Sequence, residues 1–121
     1  MAFVPKSLLR RLYIKDSLKN RDNEGFEFKM RNTLATGTIT ELIDLKIDDE
    51  SIDANNIFFE MKDKTIQASQ VSSDNPLRFT VGTSVTIFVK GKMLSEGEHK
   101  IEIAITTREY GPIRFDITDI I

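Results

Sequence analysis

Ile101-Glu102-Ile103-Ala104-Ile105-Thr106 alternates isoleucine with small or polar residues, the period of a strand whose successive side chains point to opposite faces. A helical stripe would need apolar residues three and four positions apart. The same period recurs on either side. Upstream, Val85, Ile87 and Val89 alternate with Thr86 and Phe88 before Gly91 ends the run, and Ile57, Phe59 and Met61 share a face with Phe58 opposite. Ile43, Leu45 and Ile47 run into the polar turn Asp48-Asp49-Glu50-Ser51, and Phe26, Phe28 and Met30 form an earlier set. Downstream, Ile113, Phe115 and Ile117 repeat the pattern. Strands are therefore predicted near 26–31, 43–47, 57–61, 85–90, 100–106 and 113–117. Paired antiparallel in two facing sheets, they make an all-β sandwich or flattened barrel with little helix.

Two segments fall outside this scheme. Between Ser7 and Leu18, Leu8 and Leu12 fit a helical turn whereas Leu12 and Ile14 fit a strand, and a strand around Arg11 to Lys15 is favoured. The polar stretch from Gln67 to Asn75 ends at Pro76 and reads as a surface loop. With 121 residues the chain has the length of one domain, 1–121.

Composition narrows the function. Hydrophobic residues make up 40% and charged residues 30%, and the net charge is -2. A nucleic-acid partner, which calls for a basic excess, is not expected, although Lys6, Arg10, Arg11 and Lys15 form a short basic cluster. The sequence contains no cysteine, which excludes disulfides and thiolate chemistry and suits a reducing compartment. No apolar run of membrane or signal-peptide length occurs, so the cytoplasm and no membrane partner are expected.

Candidate chemistry is sparse. His99 is the only histidine, so a two-imidazole metal site or a triad with a spare base cannot form within one chain. In Ser95-Glu96-Gly97-Glu98-His99 it reads first as an exposed residue at a strand start and second as a proton-transfer group. Asp48, Asp49, Glu50 and Asp53 read as a solvated turn, lacking the ligand order of a calcium loop. No nucleotide-binding glycine pattern is present. Phenylalanines at strand spacing read as core, and with no Trp a lectin-like role has little to stack on. Interruptions of the strand pattern are the better candidates for contact. Arg31, Leu34 and Gly37 follow one strand, and Arg108, Tyr110 and Pro112 separate the last two. All six are expected at one end of the sandwich, in contact with a partner, with solvation of the arginines and local packing of Tyr110 as the other reading.

Three blocks carry a family resemblance. Tyr13-Ile14-Lys15-Asp16-Ser17-Leu18-Lys19-Asn20 leads to Gly25-Phe26-Glu27-Phe28-Lys29-Met30-Arg31. Ile43-Asp44-Leu45-Lys46-Ile47-Asp48-Asp49-Glu50 leads to Ile57-Phe58-Phe59. Leu94-Ser95-Glu96-Gly97-Glu98-His99-Lys100-Ile101-Glu102-Ile103 leads to Arg108-Glu109-Tyr110-Gly111-Pro112. In order and spacing these resemble the β subunits of C-glycoside deglycosidases. The chain departs from them at Leu34-Ala35-Thr36-Gly37 and in the short loop before Pro76. The resemblance implies a non-catalytic small subunit of a metal-dependent carbon-carbon lyase of carbohydrate metabolism acting on 3-oxo-glycosides. It further implies a TIM-barrel, sugar isomerase-like large subunit as partner, which would hold a divalent metal (Mn or Mg), and no cofactor in this chain. A second class is an independent β-sandwich module that self-associates as a homo-oligomer through an open sheet edge. A third is an enzyme using His99 with a nearby carboxylate.

Overall fold

The structure is a computed structural model and describes residues 4–121. Its strands are β1 (Lys19–Arg21), β2 (Gly25–Arg31), β3 (Gly37–Ile47), β4 (Glu50–Ser51), β5 (Ile57–Glu60), β6 (Thr65–Gln67), β7 (Leu77–Phe79), β8 (Ser84–Lys90), β9 (Glu98–Thr107) and β10 (Gly111–Ile120). They form two antiparallel sheets, one ordered β1-β2-β8-β5-β6 and the other β10-β9-β3-β4, with β7 also paired to β3. The fold is an all-β sandwich and not a closed barrel. Alternation decides which side chains face inward: Phe26 and Phe28 from β2, Ile57 from β5 and Val89 from β8 meet Leu45, Ile47 and Ile101 of the second sheet in the buried core.

Each of the six predicted strands is present, and β9 and β10 pair from Gly111 against Thr107 to Ile120 against Glu98. The prediction fails in phase at β3. Leu42 lines the core and Ile43, assigned to the inner face, is 43% exposed. The pairing of β3 with β9 slips between Ile39 and Glu41 and again between Leu42 and Asp44. An extra residue in one strand switches the face of every side chain beyond it, so period two cannot be extrapolated through a bulge.

The strand expected from Arg11 to Lys15 is also corrected. A short helix, α1 (Lys6–Leu9), continues into a 3₁₀ turn at Arg10–Leu12, and only Tyr13 makes an isolated bridge, to Met30. Pro5 accepts the first backbone bonds, from Leu8 and Leu9 at 3.0 and 3.2 Å, and its lack of an N–H suits it to a helix start. The segment lies along the outer edge of β10, where Arg10 Nε donates to the Asp116 carbonyl at 2.8 Å. Pro112 sits in the same edge strand, where a missing N–H breaks no ladder bond. An edge covered and interrupted in this way is a poor template for another strand. The expected loop at 67–75 contains a 3₁₀ turn, Ala68–Gln70, that buries Ala68, and then a Ser72–Asn75 turn.

Gly25 is the one glycine hemmed in by neighbouring backbone. A Cβ there would lie 1.9 Å from the Val89 carbonyl oxygen, whereas one at Gly37 would meet nothing within 4 Å. Gly25→Ala is expected to cost about 1–3 kcal/mol, the range for overpacking, and Gly37→Ala to be near neutral. Urea unfolding of the two variants checks this, and equal midpoints would contradict the packing described.

Candidate functional site

The two ends of the sandwich differ in chemistry. At one end His99 shares the parity of Ile101 and Ile103 along β9 and so points inward, where it is buried, against the expectation of an exposed residue. Counting back from Ile101 in steps of two would have found it. Its Nδ1 lies 2.6 Å from Asp48 Oδ2 and its Nε2 2.7 Å from the Ser95 carbonyl. Both partners are acceptors, so both ring nitrogens donate and the ring is an imidazolium. Hydrogen bonds to the Ser95 carbonyl and then to Asp48 raise its pKa above the usual histidine value.

Asp48 is fixed from the other side. It and Asp49 take left-handed backbone angles, φ 50° and 70°, in the two-residue turn joining β3 to β4, a conformation that Asp tolerates better than most residues. Asp48 Oδ1 accepts from the Lys100 backbone N–H at 2.9 Å. That bond and the one from His99 hold the carboxyl below its ordinary range. The acidic turn is thus partly a clamp on β9. On the adjoining strand Asp119, paired with His99, accepts from the Tyr13 hydroxyl at 2.5 Å and from the Leu18 N–H at 3.3 Å. Burial and then Asp119 push the Tyr13 phenol up.

On the outer face of the first sheet Arg21 makes a second committed cluster. Its guanidinium bonds Glu60 in bidentate fashion at 2.7 and 2.9 Å and Glu27 at 2.9 Å, and its carbon sits 4.1 Å from the centre of the Phe88 ring. The bond from Arg21 lowers the pKa of Glu60. Pairing of this kind ties β1, β2, β5 and β8 together. Sequence reading missed it, although Glu27 and Phe88 both stand opposite the core positions of their strands.

The other end is apolar and open. A cavity of about 440 Å³ enters between the sheets. Met30, Phe59 and Ile87 of one sheet and Leu45, Ile103 and Phe115 of the other form its walls, and Leu8 and Leu12 of the N-terminal helical segment close one side. Buried Asn32 shapes the rim: its Nδ2 donates to the Ala35 and Phe79 carbonyls, both at 2.8 Å, and its Oδ1 accepts from the Leu34 N–H at 3.1 Å. Glu109 in the β9–β10 turn accepts from the Thr38 N–H at 2.7 Å and hydroxyl at 2.8 Å. The Arg108 N–H donates to the Thr38 carbonyl at 2.9 Å.

These bonds bring the two interrupted stretches to the same end of the sandwich. Leu34, Gly37 and Tyr110 line the cavity. Arg31 and Arg108 are exposed and are not among the lining residues; Arg31 stands on the strand parity opposite to Met30, and Arg108 Nη2 donates to the Ser73 carbonyl at 3.1 Å. Pro112 belongs to β10 and is not among the lining residues. Among the described residues no three His, Asp or Glu side chains converge as a metal site, and no helix is long and apolar enough to cross a membrane.

A family model described as hydroxymethylglutaryl-CoA reductase, N-terminal domain, matches residues 8–121. No match to this chain is found among curated proteins. The family match corrects the resemblance drawn above: it points away from the C-glycoside deglycosidase β subunits, from a carbohydrate lyase and from a TIM-barrel sugar isomerase-like partner. The self-associating alternative gains no support either.

The polar end gives a pH dependence with a definite sign. His99, raised above 6.5 in the fold, contributes stability that is fully present below about pH 6.5 and is lost as pH rises through its folded value. Asp48, lowered from 3.8, contributes above that value and loses its contribution as pH falls through the folded one. Urea midpoints are expected to decline from about pH 6 to pH 9 in the parent and to stay level in His99→Gln, which should cost about 2 kcal/mol at the lower pH. A parent with no alkaline decline would refute the imidazolium assignment.

Proposed function

The chain belongs to the hydroxymethylglutaryl-CoA reductase N-terminal domain family, and from that premise we propose that it is a one-domain binding module of such a reductase, supplying no reacting group. The observation that carries this is the chemistry of the cavity. Reducing a thioester carbonyl develops negative charge on oxygen and requires a proton donor and preorganised positive or hydrogen-bonding groups. Among the described residues the cavity lining contains no carboxylate, ammonium, guanidinium or imidazole, and its hydroxyls are those of Thr33, Thr107 and Tyr110. The Thr107 hydroxyl is already engaged, donating to the Gly111 carbonyl and accepting from the Tyr110 N–H.

The remaining buried ionisable groups support the same reading. His99, Glu27 and Asp119 are each committed to bonds internal to the protein, Asp119 to the segment before β1. An apolar cleft with a few polar groups at its rim is the usual form of a binding pocket, and Leu34, Gly37 and Tyr110 are assigned to the contact there. A cytoplasmic location belongs to this reading, and a cysteine-free sequence suits it.

The purified chain, given hydroxymethylglutaryl-CoA and a reduced nicotinamide, is expected to release no free CoA thiol above background. It should bind an uncharged fluorescent probe such as 1-aminoanthracene one to one, and Leu34→Trp, which narrows the mouth, should weaken that binding at least tenfold. Thiol release lost in Tyr110→Phe would overturn the non-catalytic reading, and a folded chain that binds no apolar probe would overturn the binding one.

A further inference from the structure

We propose that the outer face of the first sheet docks an extended acidic segment of a partner protein, one whose carboxylates fall at alternate residues. This face lies on the other side of the sheet from the end cavity and shares no lining residue with it.

Strand register fixes which side chains stand there. In β2, Phe26, Phe28 and Met30 face the core, so Glu27, Lys29 and Arg31 point outward. Lys19 of β1 lies directly opposite Glu27, and Ser84 of β8 directly opposite Arg31. Phe58 and Glu60 of β5 stand on the same face, paired with Phe88 and Thr86 of β8.

Charge on this face is unbalanced. Its strand positions carry five cations, Lys19, Arg21, Lys29, Arg31 and Lys90, against two carboxylates, Glu27 and Glu60. The excess is three positive charges, in a chain whose net charge is -2. Arg21 alone bonds both carboxylates. Lys90 lines a groove together with Glu24, which leaves Lys19, Lys29 and Arg31 as the uncompensated set. None of these three takes part in a salt bridge among the described residues. On the outer face of the second sheet, by contrast, Lys46 lies 4.0 Å from Asp44 and Lys100 lies 2.9 Å from Glu102.

The three cations form a row with an even step. Lys29 and Arg31 are two residues apart on one strand, about 7 Å by the rise of a strand. Lys19 is the diagonal neighbour of Lys29 across the ladder, about 7–8 Å away. An extended peptide presents alternate side chains on one side at the same step of about 7 Å, so its carboxylates can meet the cations in turn. Complementary charge of this kind steers the encounter and fixes register.

Other anionic partners fit less well. Single-stranded nucleic acid stacks its bases on aromatic faces, and here the Arg21 guanidinium covers the Phe88 ring at 4.1 Å while Phe58 is half-buried. A lipid surface is held by apolar side chains as well as by charge. The large exposed hydrophobics, Leu34, Ile43, Val81, Met93 and Ile120, all lie outside the strands of this sheet.

Fluorescence anisotropy at about 0.01 M salt, where screening extends to about 30 Å, tests this with the whole chain and a labelled peptide of alternating Glu and Thr. Saturable binding is expected, lost at about 1 M salt. It should be roughly tenfold weaker for a peptide of the same composition with its glutamates in one block. Lys29→Glu/Arg31→Glu should weaken it roughly tenfold and Lys29→Gln/Arg31→Gln by less. Arg114→Glu, which reverses an exposed cation of the second sheet, should leave it unchanged. An unaltered urea midpoint verifies the folding of each variant. No saturable binding, or an equal loss in Arg114→Glu, would overturn the assignment to this face. Equal binding of the block peptide would overturn the strand spacing. Tighter binding of oligothymidylate or of phosphatidylserine vesicles than of the alternating peptide would overturn the protein partner.

Discussion

Two sheets that each have one apolar face are stable only when those faces cover each other, and the rest of this molecule follows from that requirement. Phe26, Phe28, Ile57 and Val89 on one side and Leu45, Ile47 and Ile101 on the other are almost fully buried. Their contact fixes the register of the central strands, because a slip of one residue would turn the whole set outward. Within the first sheet Gly25 is pressed against its ladder neighbour β8, where a Cβ would lie 1.9 Å from the Val89 carbonyl oxygen. The contact does not fill the sandwich from end to end. Around Phe59 and Ile103 apolar walls line a space that the side chains of the described residues do not fill.

Legibility in the sequence tracked how local the determining physics was. Strands carried by period two, such as β9, β10 and β8, were readable because each residue declares its own face. Ile43 was misplaced because a bulge is decided by the partner strand and leaves no mark on the alternation. The segment before Tyr13 was misread because a four-residue helix has too few positions to display a stripe, and its stability comes from docking on the β10 edge. The short strand β1 is held in part by the bonds of Arg21 to Glu27 and Glu60, and its own residues say little.

The grouping of residues at one end was legible, and the cavity between the sheets was not. Leu34, Gly37 and Tyr110 stood out as interruptions of a pattern, and interruptions gather at the ends of a sandwich where loops must pass. Nothing in their types announces a cavity, because its walls are ordinary core residues of seven strands that become lining only when the sheets part. The family was misread for a related reason. Blocks such as Asp48-Asp49-Glu50 and Gly97-Glu98-His99 carry the chemistry of turns and strand starts. In this chain they are joined by the bond between Asp48 and His99, so they report how a hairpin is clamped and not what the protein acts on.

The contrast between the ends is the ground on which the proposed binding is assigned to one and not the other. At the His99 end the buried polar groups are paired within the chain, and a ligand arriving there would have to break charge-assisted bonds before making its own. At the Tyr110 end the rim is held by Asn32 and by the Thr38 bonds to Glu109 and Arg108, so the mouth stays formed with its lining free of polar obligations. A pocket already shaped before a ligand arrives costs little ordering on binding. Stability is thus concentrated in the bonds of one end and in the middle of the core. The opposite end can leave apolar surface uncovered because those interactions do not depend on filling it.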